Sequence, residues 1–239
     1  KTGYIRSDKN PKILRKRMNE DLKLLFDWLC ANRLSLNVGK TEFIIFKPKR
    51  KSLKERITFL KLNGTTLYES SKIQYLEIIM DDRLTWKFHI FELRKKLNKS
   101  VGMIYKMRKL CSERVLLSLY YSLIYTHLSY GICVWGTAED TYLEKIRISQ
   151  NKALRAITGS QLTASTDSLY ESLNVLKLDE IFQFQYASLM FDQDHGNLPS
   201  CFNTYFRKVE YIHNHRTRMT SSHKLSENVK FKTKTHGKS

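Results

Sequence analysis

The chain has 239 residues, of which 41% are hydrophobic and 12% aromatic, enough apolar material for one large folded domain or two small ones, which excludes a wholly disordered protein. Lys and Arg number 42 against 23 Asp and Glu, giving a formal net charge of +19. That excess goes beyond what solubility requires and predicts a polyanionic partner, for which nucleic acid is the economical choice, although an anionic membrane or a ribosomal setting would make the same demand.

The chain opens on residues 1–3 with neither an initiator Met nor a signal-peptide pattern, from which we expect a fragment or an incomplete reading frame. The first predicted element is an amphipathic helix that ends near Asn32, because apolar residues recur at helical spacing with Lys and Arg on the other side. The apolar stripe of this helix consists of Leu14, Met18, Leu22, Leu25, Phe26 and Leu29.

Short strands are predicted after this helix. Leu34, Leu36 and Val38 alternate with polar residues, and residues 43–46 form a continuous apolar run, so we expect a strand pair joined through residues 39–41. Residues 47–51, which are rich in Lys and Arg, predict an exposed loop. The same five residues would also suit a nuclear localisation patch.

A hairpin and a buried strand complete the predicted β region. Residues 57–68 read as two strands that turn at Asn63-Gly64, because this dipeptide accepts positive φ at both central positions of a type I′ turn. Residues 75–80 predict one further buried strand. Beyond Asp82 the strand pattern stops and helical periodicity takes over.

Four helical segments are predicted in the second half of the chain. Of these four segments, the second has Ser112 as its N-cap and the third stops at Gly159. The fourth is weaker and spans 179–191. The first three apolar stripes are Trp86, Ile90, Leu93, Leu97, Val101 and Ile104; Val115, Leu116, Leu119, Tyr120 and Leu123; and Leu143, Ile146, Leu154 and Ile157.

Together these elements predict an α+β protein with a small mixed unit at residues 1–82, a helical bundle at 83–159 and a less defined region at 160–239, with a mobile tail from about 207. No run reaches the roughly 18 to 20 apolar residues of a membrane-spanning helix, so we expect a soluble protein. The cysteines are scattered without a close pair, which favours reduced thiols in an intracellular setting, cytoplasm or nucleus. They are Cys30, Cys111, Cys133 and Cys201.

Several stretches in succession resemble the non-LTR (LINE-type, jockey-like) reverse transcriptases. The resemblance covers most of residues 10–200, in the family's order and at about its spacing. It implies the end of a polymerase palm, a primer-grip region, a helical thumb and a C-terminal extension. The stretches are 28–41 (WLCANRLSLNVGKT) with 43–46, 73–86 (IQYLEIIMDDRLTW) with 89–90, 120–124 (YYSLI), 128–136 (LSYGICVWG) and 150–158 (QNKALRAIT).

The resemblance also implies which chemistry to expect. Family members copy RNA into DNA with palm carboxylates that hold two Mg²⁺ ions, and these lie upstream of the first helix, so we expect this chain to lack them and to bind no cofactor by itself. Asp81-Asp82 imitates the family's aromatic-x-Asp-Asp signature, but no aromatic residue precedes the pair. We interpret it as a capped strand end. Glu77 stands where the family usually has Gly, which is typical of a decayed copy.

Candidate site residues follow from the resemblance and from charge. Lys40 matches a lysine thought to protonate departing pyrophosphate, or it is one more surface lysine at a turn. Tyr75 and Leu76 match primer-grip positions, although buried strand residues would look identical. No metal site is predicted, since His213-Asn214-His215 lacks the surroundings of a nuclease motif. The candidate nucleic-acid-binding cations are Arg94, Lys95, Lys96, Lys99, Lys106, Arg108 and Lys109, with Arg147, Lys152 and Arg155 as a possible extension.

The predicted function is sequence-independent binding of a template–primer duplex of RNA and DNA by a reverse-transcriptase fragment that is inactive alone. The upstream palm and fingers of the same polymerase are a further expected partner, and they would complete an active enzyme if supplied in trans. The alternative hypothesis is a non-enzymatic basic helical protein that makes protein or anionic-membrane contacts. A charge run is also typical of an ordinary solvated helix face.

Overall fold

In a computed structural model, the chain forms two compact units, Lys1–His89 and Ile90–Ser239. The first unit combines one long helix with short antiparallel strands, and the second is helical as far as residue 194. This architecture confirms the predicted α+β class, whereas the domain boundaries expected near 82 and 159 stay predictions. The structure describes residues 3–47, 57–161, 163–204, 207–208 and 226–227.

The first helix, α1, spans Pro11–Ala31 and begins where the sequence supplies two start signals. The Asn10 side chain accepts a hydrogen bond from the backbone N–H of Lys12 at 2.9 Å, and Pro11 occupies the first turn, where its missing N–H removes no helical bond. Asn32 caps the other end, as predicted. The apolar face of α1 packs on the core of this unit, which contains Leu22, Ile57, Leu60, Leu62 and Leu67.

The predicted hairpin is confirmed as strands β1, Phe59–Leu62, and β2, Thr65–Tyr68. Asn63 and Gly64 have φ angles of 45° and 76°, the positive values that a type I′ turn needs. In β1 the side chains of Leu60 and Leu62 are buried while the intervening Lys61 is exposed, because successive side chains point to opposite faces of a strand. α1 covers the buried face.

A second hairpin replaces the single buried strand predicted at 75–80, so that prediction is wrong. Strands β3, Lys72–Tyr75, and β4, Ile78–Asp81, pair antiparallel with Tyr75 opposite Ile78. Leu76 and Glu77 form the two-residue turn with φ angles of 46° and 65°. The apolar run gave no turn signal, because neither Leu nor Glu favours positive φ.

The strand pair predicted from residues 34–38 and 43–46 is absent from the described chain. Instead, Val38–Lys40 forms a 3₁₀ turn, in which the backbone N–H of Lys40 lies 3.1 Å from both the side-chain and the backbone oxygen of Asn37. This local bonding turns the chain before a ladder can form. Phe43 then makes an isolated parallel bridge to Glu69.

Lys47, predicted to be exposed, is largely buried with 11% of its side chain accessible. Its ammonium forms an ion pair with Glu69 at 2.5 Å and lies 3.5 Å from Asp82. These partners offset the cost of removing the charge from water. Residues 48–51, the rest of the predicted loop, lie outside the described residues.

Helices make up the second unit as far as Asp194. The long helix α2 starts in the first unit and confirms most of the first predicted stripe, since Ile90, Leu93, Leu97 and Ile104 are all buried. Trp86 is buried but precedes the helix, and Val101 is only half-buried. The helices are α2 (Lys87–Met107), α3 (Glu113–Tyr120), α4 (Thr126–Ser129), α5 (Ile132–Trp135), α6 (Asp140–Thr158), α7 (Asp167–Ser172) and α8 (Leu178–Asp194).

The second predicted stripe is partly wrong. A π-helical segment, Tyr121–Tyr125, joins α3 to α4, and the buried line runs through Leu116, Tyr120, Ile124 and Leu128, while Val115 is 46% exposed. The wider π turn extends the burial of every fourth residue across the junction. Ser112 is the N-cap of α3, as predicted, but its side chain makes no capping bond.

α6 is the central helix of this unit, and it contacts α3, α7 and α8. The third predicted stripe is confirmed by the burial of Leu143, Ile146, Leu154 and Ile157. Gly159 ends α6 with φ at 70°, a left-handed conformation that costs glycine little.

The prediction that strands cease after Asp82 is wrong in one detail. Two short strands, β5 (Arg207–Lys208) and β6 (Ser226–Glu227), pair antiparallel in the region expected to be a mobile tail. The His213–His215 segment lies outside the described residues. Among the helices that the structure describes, none has the length and apolar content needed to cross a membrane.

Candidate nucleic-acid interface

The outer face of α2 carries most of the predicted nucleic-acid-binding cations. This helix contains six Lys or Arg residues and a single acidic residue, Glu92. Its buried stripe fixes the orientation of the helix, since Leu97 and Ile104 are both 0% exposed. With 3.6 residues per turn, Lys95, Lys99 and Lys106 then fall on the opposite side, where all three are exposed.

The other predicted cations of α2 lie on its flanks. Lys96 is exposed, whereas Arg94 is half-buried and its Nε atom is buried without a hydrogen-bond partner. The pKa of His127, in α4, is lowered mainly by burial and, to a smaller extent, by the positive charge of Lys96. The predicted basic set is therefore one exposed row with two flanking residues rather than a single patch.

Exposed aromatic rings accompany these cations, and sequence reasoning missed them. The Lys95 ammonium lies 4.4 Å from the centre of the Phe91 ring, and the Arg108 guanidinium lies 4.1 Å from the centre of the Tyr105 ring. Phe91 is 55% exposed and Tyr105 is 52% exposed. The signal was present in the sequence, because each cation follows an aromatic residue by three or four positions, the spacing of neighbours on a helix.

Arg108 and Lys109 follow the last residue of α2. Lys109 is exposed, and Arg108 is half-buried beside Tyr105. The Leu110 N–H bonds to the Met107 carbonyl at 2.9 Å, which closes the last turn. Both cations therefore stand at a helix C-terminus, where the backbone dipole favours positive charge.

The three cations suggested as an extension do not behave alike. Lys152 is exposed, and Arg155 donates from Nε and Nη2 to the Ala164 carbonyl at 3.0 and 2.8 Å. Arg147 is instead held by Asp179, through two hydrogen bonds of 3.0 and 2.7 Å. These bonds raise the pKa of the Arg147 guanidinium. Arg147 thus joins α6 to α8 and does not extend the basic face.

The first unit places its predicted site residues separately. Lys40 is exposed at the end of the 3₁₀ turn. Tyr75 is half-buried and lies against Gly3, and Leu76 is 53% exposed at the hairpin turn. Their assignment to pyrophosphate protonation and to a primer grip stays a prediction.

The Asp81-Asp82 pair has the geometry of a cap and does not fit a Mg²⁺ site. The Asp81 carboxylate is buried and accepts hydrogen bonds from the backbone N–H groups of Arg83, Thr85 and Trp86, at 3.0 to 3.1 Å. The Thr85 hydroxyl donates a further bond at 3.0 Å. No group of three or more His, Cys, Asp or Glu side chains is arranged for a metal among the described residues.

Five curated sequences resemble this chain at 25 to 33% identity. The RNA-directed DNA polymerase from the mobile element jockey of Drosophila funebris is 30% identical over 169 residues, which are 68% of this chain and 18% of that protein. The jockey polymerase of Drosophila melanogaster is 33% identical over 130 residues, 52% of this chain and 14% of that protein.

A third relative is the probable RNA-directed DNA polymerase from transposon X-element of Drosophila melanogaster. It is 25% identical over 159 residues, 65% of this chain and 17% of that protein. The chain is related to jockey-like non-LTR retrotransposon polymerases. It spans less than a fifth of the length of these polymerase relatives. No protein-family model matches the sequence, and no solved structure matches the chain.

Proposed function

We propose that this chain binds nucleic acid without reading its sequence, as the duplex-holding part of a non-LTR reverse transcriptase. The observation that carries the proposal is the exposed row Lys95, Lys99 and Lys106 on a helix that has one acidic residue against six cations. A row along one helix face can follow a phosphate backbone, and each neutralised phosphate releases counterions. The relatives are RNA-directed DNA polymerases, which act on nucleic acid, and this supports nucleic acid as the partner class.

We further propose that the chain holds the template–primer duplex and that the Mg²⁺-binding carboxylates come from elsewhere in the polymerase. The geometry of Asp81 supports this, because both of its oxygens already accept hydrogen bonds. A carboxylate whose two oxygens accept these hydrogen bonds would have to lose some of them to bind a metal ion. DNA synthesis therefore depends on carboxylates outside these residues.

The proposal is tested by fluorescence anisotropy of the purified chain with an RNA–DNA duplex across a series of KCl concentrations. We expect the logarithm of the binding constant to fall linearly with the logarithm of the salt concentration, with a slope of about −0.9 per neutralised phosphate. Unrelated duplex sequences should give the same slope. Binding that ignores salt, or association with anionic vesicles but not with the duplex, would contradict the proposal.

A primer-extension assay tests the catalytic part separately. The chain with Mg²⁺, nucleotides and a template–primer should incorporate nothing. Template-directed synthesis by the purified 239-residue chain would overturn the assignment of a binding role alone.

A further inference from the structure

A pocket of about 270 Å³ lies in the second unit, where the residues after α2 approach the C-terminal end of α6. Its size is just below the roughly 300 to 1,000 Å³ of sites for drug-sized ligands, which favours a small chemical group. The pocket walls include Tyr105, Arg108, Lys152, Arg155, Ser160 and Gln161.

The pocket is strongly positive. Three of its lining residues, Arg108, Lys152 and Arg155, are cations, and no acidic residue lines it. None of the three forms an ion pair with a carboxylate in the described part of the chain. Arg147, in the same helix as Lys152 and Arg155, differs because it has three acidic neighbours. Like charges that converge without a counter-ion repel one another, so an anion in this pocket would be stabilised.

The end of α6 does not cancel this charge. Its exposed carbonyls carry roughly half of an elementary negative charge, against three full positive charges. Gly159, with φ at 70°, turns the chain away from the helix so that Ser160 and Gln161 form part of the wall. These two side chains add polar groups that can hydrogen-bond an oxygen-rich anion.

Two of the cations are already held in place. The Arg155 guanidinium is fixed by its two hydrogen bonds to the Ala164 carbonyl, and the Arg108 guanidinium lies over the Tyr105 ring. Cations ordered before binding lose less side-chain entropy when a ligand arrives. Arginine also suits phosphate in particular, because its fork of N–H groups matches two phosphate oxygens.

We propose that this pocket binds one phosphate group of a nucleic-acid strand. Arg108, Lys152 and Arg155 supply the charge, and the exposed Tyr105 ring packs against the adjoining sugar or base. The strand as the source of the phosphate rests on the proposed function. The phosphate is either an internal phosphodiester or the phosphate at a strand end.

The test compares two double variants of the full chain, each of which loses two positive charges. Arg108→Gln with Lys152→Gln alters the pocket, and Arg114→Gln with Lys145→Gln changes exposed cations of the same unit that do not line it. Affinity is measured by anisotropy for a short single strand with either a 5′-phosphate or a 5′-hydroxyl. Circular dichroism confirms that each variant remains folded.

We expect the pocket variant to bind the phosphorylated strand on the order of tenfold more weakly, since two charge-assisted contacts are lost, and the control variant to change by less than about threefold. A loss confined to the 5′-phosphate strand identifies the terminal phosphate, and a loss with both strands identifies an internal phosphodiester. Equal affinities of pocket and control variants would overturn the proposal.

A phosphate titration separates this proposal from the proposed function. Inorganic phosphate is added to the wild-type chain, and the Nε–H resonances of its arginines are followed by NMR, with Arg108→Gln and Arg155→Gln used for assignment. Saturable shifts of the Arg108 and Arg155 signals support the pocket even if no nucleic acid binds. Absence of such shifts overturns it even if duplex binding by α2 is found.

Discussion

Glu77 and Asp81 stand four positions apart in the second hairpin, where the backbone of Glu77 is strained and the side chain of Asp81 is stabilising. Glu77 occupies the hairpin turn with φ at 65°, where a Cβ atom is strained. Asp81 ends β4 and holds the next turn of chain through its hydrogen bonds. The Gly expected at position 77 from the resemblance therefore has a reason in backbone conformation, besides the close approach to a primer that it would allow.

We predict that Glu77→Gly stabilises the chain by about 0.5 to 1 kcal/mol. Removing the left-handed strain is worth roughly 1 to 2 kcal/mol, and the greater freedom of unfolded glycine returns roughly 0.5 to 1 kcal/mol of this. The measurement is urea unfolding. Asn63→Gly in the first hairpin turn is the matched control and should change stability little, because Asn tolerates this conformation. A destabilised Glu77→Gly variant would contradict the strain.

Asp81→Asn should destabilise the chain by about 1 to 3 kcal/mol, because an amide has one acceptor oxygen where the carboxylate offers two, and buried N–H groups lose their partner. Asp82→Asn is the control and should cost less than about 1 kcal/mol, since Asp82 is only partly buried and 3.5 Å from Lys47. Thermal unfolding with and without Mg²⁺ decides the role. Stabilisation of the wild type, but not of Asp81→Asn, by Mg²⁺ would contradict the cap assignment.

At the scale of elements, close packing of α5 on α8 requires a glycine at the end of α5. Gly136 follows α5, and α5 packs on α8. A Cβ atom built on Gly136 would lie 2.5 Å from Cδ2 of the Phe182 ring and 2.6 Å from the Ile132 carbonyl oxygen. Only glycine lets the two helices approach this closely. The requirement is one of space, because the φ angle of Gly136, −65°, suits any residue.

Gly136→Ala should therefore destabilise the chain by about 1 to 3 kcal/mol through overpacking. Gly102→Ala is the matched control, since Gly102 lies within α2 and a Cβ atom there meets nothing within 4 Å. We expect it to stabilise the chain by about 0.5 to 1 kcal/mol, the difference between Ala and Gly in a helix. Changes of the same sign in both variants, measured by urea unfolding, would refute this packing argument.

For the whole molecule, the location of positive charge matters more than its total of +19. Part of that charge is committed to ion pairs, as with Lys47 and Arg147. Other cations are exposed on the outer face of α2, as Lys99 and Lys106 are. A bound phosphate backbone contacts only the cations along the surface that it follows.

Replacing Lys95, Lys99 and Lys106 with Gln should flatten the salt dependence of duplex binding. If each lysine neutralises one phosphate, the slope of log K against log salt falls in magnitude by about 2.7, three times 0.9. Replacing Lys9, Lys16 and Lys23 with Gln removes the same charge from the first unit and should change the slope by less than about 1. Equal effects of the two triple variants in anisotropy titrations would show that net charge alone governs binding.

The sequence by itself determined the long helices, the Asn63-Gly64 hairpin and the end of α6 at Gly159. These features depend on periodicity and on residues with strong local preferences, both of which are visible in one dimension. The relation to retrotransposon polymerases was also predicted from the succession of short stretches that resemble that family. The cations of α2 could be placed on the outer face because a helix fixes direction once its buried stripe is known.

Only the tertiary structure decided which polar residues are committed and which are available. Lys47 and Lys99 are the same residue type, but Lys47 is buried between two acidic side chains, whereas Lys99 is exposed on the outer face of α2. The partners of Arg147 and Arg155 come from distant positions, 179 and 164. Such pairings arise from packing between elements that are distant in sequence. They cannot be predicted from the local sequence, because side-chain contacts across a fold leave no periodic pattern along the chain.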